Sequence, residues 1–393
     1  MNIAFICTEK LPSPAIKGGA IQLMIDGVAP FLSQYHSLTI FSITSPSLQV
    51  RERVNNIEYI RFPQETYEAD VAEELKKHSF DVIHVFNRPT SLLRYKQSSP
   101  HSAFVLSLHN DMFSPLKITE KTAELALTQC EIITTVSEYI KRTVIGRYEV
   151  PEEKVKVTYS GVDLNQYVPA WSTEGQRLRG IARKEYGVTN KKVITFIGRL
   201  SKTKGPHLLI ECMNNVLSSH PDAVLVIVGG KWFSENGWND YIELLHRLAK
   251  PLGEKVLFTN YIPSENIPKM LLMSDVFVCS SQWHEPLARV HYEAMAAGVP
   301  IITTNRGGNT EIIHHLKNGY VINDYKKSEA FFEAIDYIFS NKEQALKMAK
   351  TGRKLVEERF QFSHVADRLE SVYTLAYSKL QRQKPSSSSA DPI

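Results

Sequence analysis

Two carboxylates carry the most specific spacing in this 393-residue chain: Glu285 and Glu293, in the stretch Ser280-Ser-Gln-Trp-His-Glu-Pro-Leu-Ala-Arg-Val-His-Tyr-Glu-Ala-Met-Ala-Ala-Gly298. The run before it, Asp275 to Cys279, is rich in β-branched and aromatic residues and reads as a buried strand. Pro286 stands where a helix can begin, because its missing N–H is no loss there. Glu293 then lies seven residues on from Pro286, about 10 Å along the helix axis. A carboxylate pair that cleaves a glycosidic bond with retention sits only about 5 Å apart. The wider spacing suits gripping two parts of one long ligand, each carboxylate accepting hydrogen bonds from hydroxyls. Arg289 and His291 fall on other helical faces than Glu293 and are expected to meet solvent or the sheet.

A leaving group that develops negative charge as its bond breaks is stabilised by cations or free helix N–H groups. The segment Arg199-Leu-Ser-Lys-Thr-Lys204-Gly205 follows the strand-like run Lys192 to Ile197 and suits that task. Arg199 stands at the strand end and Lys204 just before the next helix, with Gly198 and Gly205 as hinges; a solvated charge run is the plainer alternative. Gly18-Gly19 precedes a helix starting near Ala20, where two glycines either let the backbone approach an anion or simply make a tight turn. Gly229-Gly230 closes the run Val224 to Val228 and allows close backbone approach to a ligand, while Lys231 and Trp232 beside it have no assigned role. Gly307-Gly308, ahead of Glu311, either serves the ligand or makes a turn, the turn being the preferred reading, and Ser137 reads as the cap of the following helix. His109 ends the run Phe104 to Leu108 and precedes Asn110-Asp111; on general grounds a lone histidine there is a turn or packing residue. No Cys/His/Asp cluster or Asp-x-Asp pattern holds a metal, so neither metal nor cofactor is expected beyond the ligand itself.

These residues need a scaffold that brings strand ends together. The first half alternates short apolar runs (Ile3–Cys7, Leu38–Ile43, Ile57–Arg61, Val82–Phe86, Phe104–Leu108, Ile132–Val136, Val155–Tyr159) with amphipathic segments, the pattern of βαβ units around a parallel sheet. A polar, Gly-containing stretch from Gly161 through Trp171 and Gly180 reads as a linker. A second such unit begins at Lys192 and runs through Val256–Phe258, Val276–Cys279 and Pro300–Thr303, and successive helices follow from Ser328. Two α/β units in tandem argue for facing domains with ligand at the carboxyl ends of the strands. The net charge of +4 is too weak and too evenly spread for a nucleic-acid partner. Four cysteines without paired spacing read as reduced thiols of a cytosolic protein. The N-terminus reads as a first strand rather than a signal peptide, and no apolar run approaches the ~20 residues that span a bilayer.

Glu285 through Glu293 spell the E-x7-E signature, and here the chain resembles the family-four retaining glycosyltransferases of the GT-B fold along nearly its whole length. The wording of Ser280 to Gly298 is similar to the spore coat protein SA group of bacilli, glycosyltransferases of the sporulation programme. The resemblance implies two facing Rossmann-like domains with an interdomain cleft: 1–167 on the acceptor side, 168–361 for the nucleotide sugar, a terminal helix over 362–380 crossing back to the first domain, and a disordered tail over 381–393. It implies a hexosyltransferase that moves a sugar from a nucleoside diphosphate sugar, a UDP-sugar, to a hydroxyl acceptor. Glu285 meets the donor sugar and Glu293 the ribose; Arg199 and Lys204 match the family's phosphate-binding pair; Gly18 and Gly19 touch the diphosphate; and His109 faces the donor sugar as a catalytic residue. Many members carry Phe-Gly where this chain has Leu287-Ala288, a departure that bears on donor choice. The implied partners are the donor, a carbohydrate, lipid-linked or protein acceptor, and spore coat proteins, in a cytoplasmic protein associated with the coat. Two rivals stay open: a structural coat protein that keeps the fold without turnover, and a nucleotide-sugar epimerase.

Overall fold

The computed structural model describes residues 1–231 and 237–383. Trp232 and residues 384–393 of the expected tail lie outside the described residues, while 381–383, also expected in that tail, belong instead to the last helix. The chain divides into two compact units: Met1–Ile16, Ile21–Tyr159 and the chain from Val365 on form the first, and Lys17–Ala20 with Ser160–His364 the second.

The first unit is built on β1 (Asn2–Ile6), β2 (Ser37–Ile43), β3 (Arg51–Val54), β4 (Ile57–Phe62), β5 (Val82–Phe86), β6 (Ala103–Leu108), β7 (Ile132–Thr135) and β8 (Val155–Val157). Their spatial order is β3-β4-β2-β1-β5-β6-β7-β8, parallel except for the antiparallel β3–β4 pair. Every residue of β5 and β6 is buried, as a parallel sheet covered on both faces requires. The helices α1 (Ala20–Leu32), α2 (Tyr67–Leu75), α3 (Leu92–Ser98), α4 (Glu120–Gln129) and α5 (Glu138–Ile145) return the chain between strands. Ser137 caps α5, its hydroxyl accepting the Ile140 N–H at 3.1 Å.

The last eight residues of the stretch expected to be a linker, Thr173 to Gly180, instead open a helix, α6 (Thr173–Glu185). Ser172 caps it by accepting the Gly175 N–H at 3.0 Å, and Gly175 is there because an added Cβ would fall 2.1 Å from the Pro169 carbonyl oxygen. The second sheet follows, from β9 (Lys192–Ile197), β10 (Ala223–Val228), β11 (Val256–Asn260), β12 (Val276–Cys279), β13 (Ile301–Thr304) and β14 (Tyr320–Ile322), in the order β11-β10-β9-β12-β13-β14 and parallel throughout. α7 (Pro206–Ser219), α8 (Asp240–Ala249), α9 (Ile267–Leu272), α10 (Val290–Ala297) and α11 (Ser328–Ser340) cover its faces. One apolar layer groups Phe196, Leu209, Ile227, Val278 and Phe331; the other groups Val193, Val226, Met270 and Met273. α12 (Lys342–Arg359) and α13 (Phe362–Gln383) end the described chain. Within the first unit, Tyr373 of α13 is fully buried and its hydroxyl shares a 2.8 Å hydrogen bond with His84 Nδ1.

Because the strands of the second unit are parallel, the loops after β9, β10, β12 and β13 all leave one end of the sheet. Arg199, Gly229, Glu285 and Arg306 stand in those four loops.

Candidate active site

At that end, Glu285 is only 3% exposed. Lys204 Nζ and Ser281 Oγ both donate to its Oε1. Burial pushes the carboxyl up, but the Lys204 charge and hydrogen bond and the Ser281 hydroxyl outweigh it and hold the group below its ordinary value. The result is an ionised carboxylate with its own cation, ready to accept from further hydroxyls.

The pair is held by backbone. Ser280 Oγ donates to the Lys204 carbonyl at 2.9 Å and Gln282 N–H donates to the Thr203 carbonyl at 2.8 Å, stitching the loop after β12 to the loop before α7. Gly205 has φ +69°, and a Cβ there would sit 2.3 Å from the Ser280 carbonyl oxygen, so close packing of these two loops demands the glycine. The loop after β13 closes on the other side: Gly308 N–H donates to the Glu285 carbonyl at 2.8 Å, Ala288 N–H donates to Asn309 Oδ1 at 3.3 Å, and a Cβ on Gly307 would lie 1.9 Å from the Glu285 carbonyl oxygen. Gly307 thus serves the packing of this loop on Glu285.

Those bonds correct one expectation. The helix does not begin at Pro286 but at Val290; the loop after β13 takes the backbone groups on either side of Pro286, leaving Leu287 and Ala288 in an irregular segment. A second correction concerns Arg289. Arg289 shares a face with Glu293 after all, its Nε 3.2 Å from Glu293 Oε1, the i,i+4 relation at the helix entrance. Arg289 Nη1 also donates to the Gly161 carbonyl at 3.0 Å. His291 does meet the sheet: fully buried, it bonds Thr303 Oγ1 of β13 at 2.9 Å and the Ala288 carbonyl at 3.1 Å, and burial pulls it down to about 4, so it is neutral.

The structure therefore joins Lys204 and Glu285 directly and leaves Glu293 with a different partner. Arg199 follows β9 and is half-buried. Gly229 has φ +143°, and a Cβ there would fall 1.9 Å from the Gly198 carbonyl oxygen, so the crossing of the β9 and β10 ends already accounts for it. Gly18 and Gly19 have φ +72° and +102°, and a Cβ on Gly18 would meet nothing within 4 Å. In the first unit His109 follows β6; its N–H donates to Asn87 Oδ1 at 3.0 Å, its ring centroid lies 5.9 Å from that of Phe86, and its Nε2 is buried without a hydrogen-bond partner. Burial pulls His109 down to about 4, which leaves a neutral imidazole with one unspent nitrogen. Asp111 is committed to a two-pronged pair with Arg147, at 2.6 and 2.8 Å. Sequence reasoning missed Ser281 and Asn309, whose only signal was a polar side chain within reach of the signature. Among the described residues, no group of three or more His, Cys, Asp or Glu could hold a metal, and no helix is long and apolar enough to cross a membrane.

Residues 179–355 match the family model described as glycosyl transferases group 1, and residues 23–166 match that described as glycosyltransferase family 4. YtcC of Bacillus subtilis (strain 168), named as a glycosyltransferase, is 55% identical over 385 residues, covering 98% of this chain and 95% of the relative. Spore coat protein SA of the same organism is 45% identical over 373 residues, covering 95% and 99%. Among solved structures, Anabaena HepE in complex with UDP and glucose superimposes with a TM-score of 0.77 at 21% identity, covering 95% of this chain and 99% of that one.

Proposed function

This chain belongs to the group 1 and family 4 glycosyltransferases, with the GT-B fold of its structural neighbours, and from that premise we propose that it transfers a sugar from a nucleoside diphosphate sugar, a UDP-sugar, to a hydroxyl acceptor with retention at the anomeric carbon. The observation that carries this is the buried, ionised Glu285 held by Lys204 at the carboxyl end of a parallel sheet. Glu285 accepts from donor sugar hydroxyls, and Glu293 from the ribose. Lys204 and Arg199 neutralise the diphosphate, with Gly18, Gly19 and Gly229 allowing backbone approach and Leu287 and Ala288 bordering the sugar. His109, neutral and with a free nitrogen, supplies one further hydrogen bond to the donor sugar. The bond from the anomeric carbon to the diphosphate oxygen breaks, the acceptor oxygen bonds the same carbon from the same side, and the acceptor proton passes to the departing phosphate. UDP as carrier is supported by HepE, solved with UDP and glucose. A role in spore coat or cell-surface polysaccharide glycosylation is supported by the name of one relative.

That same name favours a second reading, a coat component without turnover. Thermal melts of the purified protein with UDP, followed by mass spectrometry of products from a UDP-sugar screen with spore extract, separate the two. A native-state ligand at 100 times its Kd adds about 2.7 kcal/mol. We expect that stabilisation, and a sugar-bearing product that Glu285→Ala abolishes while its melt stays cooperative. Undiminished transfer by Glu285→Ala refutes the assignment of Glu285, and the absence of both shift and product supports the coat component.

A further inference from the structure

A parallel sheet has two ends, and the candidate active site uses one. At the amino ends of β9, β12 and β13 lies a cavity of about 320 Å³, bordered by Lys192, Asp275 and Pro300, the residues at or just before the starts of those strands. The six residues of β9 separate it from Gly198 and Arg199 by roughly 20 Å, so it is no extension of the donor loops.

Its walls combine two chemistries. Trp171, Val299, Phe339, Leu346 and Ala349 supply an apolar face. The Trp171 ring is seated by Gly298, where an added Cβ would fall 2.3 Å from it. Arg179, Lys191, Lys192 and Lys342 also line the cavity, against a single carboxylate, Asp275. That carboxylate is fully spent: Oδ1 takes Arg179 Nη2, while Oδ2 takes Arg183 Nη2 at 2.6 Å and the Val193 N–H at 2.7 Å. Lys192 is occupied by His220 Nδ1 at 2.9 Å and lies 5.5 Å above the Phe339 ring. Lys191 and Lys342 have no carboxylate partner among the described residues. A cavity with an apolar wall and an excess of cations selects an amphiphilic anion, and its volume stands at the small end of the range for ligand sites.

We propose that this cavity is a second ligand site that takes a small organic anion with an apolar body, its phosphate or carboxylate held by Lys191 and Lys342 and its body laid against Trp171 and Phe339. The site is independent of the glycosyl-transfer chemistry, and its test does not require turnover.

Octyl phosphate is the probe, read by calorimetry and by Trp171 fluorescence on the full chain. Binding is expected at one molecule per chain, with octanol and inorganic phosphate each at least tenfold weaker, since each lacks half of the recognised chemistry. Lys191→Glu/Lys342→Glu should weaken binding at least tenfold, and Leu346→Asp at the mouth should do so through the apolar side. Both variants should melt like the parent and keep its response to UDP. Trp171→Phe should erase the fluorescence change while leaving the heat of binding. Absence of binding, or binding that survives both sets of variants or is displaced by UDP, overturns the proposal. Adsorption to phosphatidylglycerol vesicles without binding of monomeric octyl phosphate also overturns it, by showing surface lysines at work rather than the cavity.

Discussion

Glu285 and Lys204 depend on one another in a way that a double-mutant cycle can measure. Lys204→Met leaves a carboxylate that is 4% exposed without its cation, and removing one partner of such a buried pair costs about 3–5 kcal/mol. Glu285→Gln removes the buried charge while keeping a hydrogen-bonding group, so Lys204→Met/Glu285→Gln should be more stable in denaturant melts than Lys204→Met alone. An additive double variant means the two side chains do not interact. Activity should follow the opposite logic: Glu285→Gln, Lys204→Met and the double variant should each lower kcat/KM by about 10²–10³, the scale for losing one preorganised electrostatic group. The sequence pointed to both residues by chemistry and spacing. It could not pair them, because Lys204 and Glu285 are 81 positions apart and only the stitching of the two loops brings them together. Ser281 was hidden for the same reason, as one hydroxyl in a polar loop.

The glycines at the strand ends separate a structural demand from a ligand's demand. Gly229→Ala puts a methyl 1.9 Å from the Gly198 carbonyl oxygen at φ +143°, so it must part the ends of β9 and β10. Overpacking of this kind costs about 1–3 kcal/mol before the backbone strain is added, and circular dichroism melts should show the loss. Gly18→Ala meets no atom and pays only for its left-handed backbone, about 1 kcal/mol. If Gly18 serves a phosphate, that variant should raise the KM for the donor severalfold with little change in melting temperature; an unchanged KM makes Gly18 a turn residue only. The long parallel strands were legible because continuous apolar runs such as β5, β10 and β12 have no other place to go. β3 and β14 were not: β3 is a mostly exposed edge strand, Arg-Glu-Arg-Val, and β14 is three residues long. The first turns of α6 were taken for linker because the stretch is polar and contains glycines, yet one of these, Gly175, is required by the Pro169 carbonyl. The start of α10 was misplaced because hydrogen bonds from a loop that follows it in sequence decide where it begins.

Across the whole molecule, buried titratable groups set an acid limit. His84 and His291 are wholly buried, His109 keeps its Nε2 from solvent, and burial holds all three below the ordinary histidine value of 6.5, His109 and His291 at about 4. Between pH 6.5 and 4 the unfolded chain binds protons at these positions that the folded chain refuses, so each histidine removes stability as pH falls, by up to about 1.4 kcal/mol per pH unit. Asp26 works the other way. Burial pushes it up to about 6, against the Ala15 N–H and the Ser13 hydroxyl that it accepts, so between pH 6 and its ordinary 3.8 the folded chain holds a proton the unfolded chain releases. Glu285, held below its ordinary 4.5, contributes stability that is fully present above that value and is lost only as pH falls through its lower folded value. From pH 6 to 4.5, the three buried histidines outnumber the one aspartate, so stability should slope downward as pH falls. Urea melts at pH 7, 6 and 5 should show that slope. Asp26→Asn should steepen it by removing the opposing group, and His291→Gln should flatten it. A flat profile in the unmodified protein would mean that the histidines gain protons without unfolding, through local opening around β5, β6 or α10.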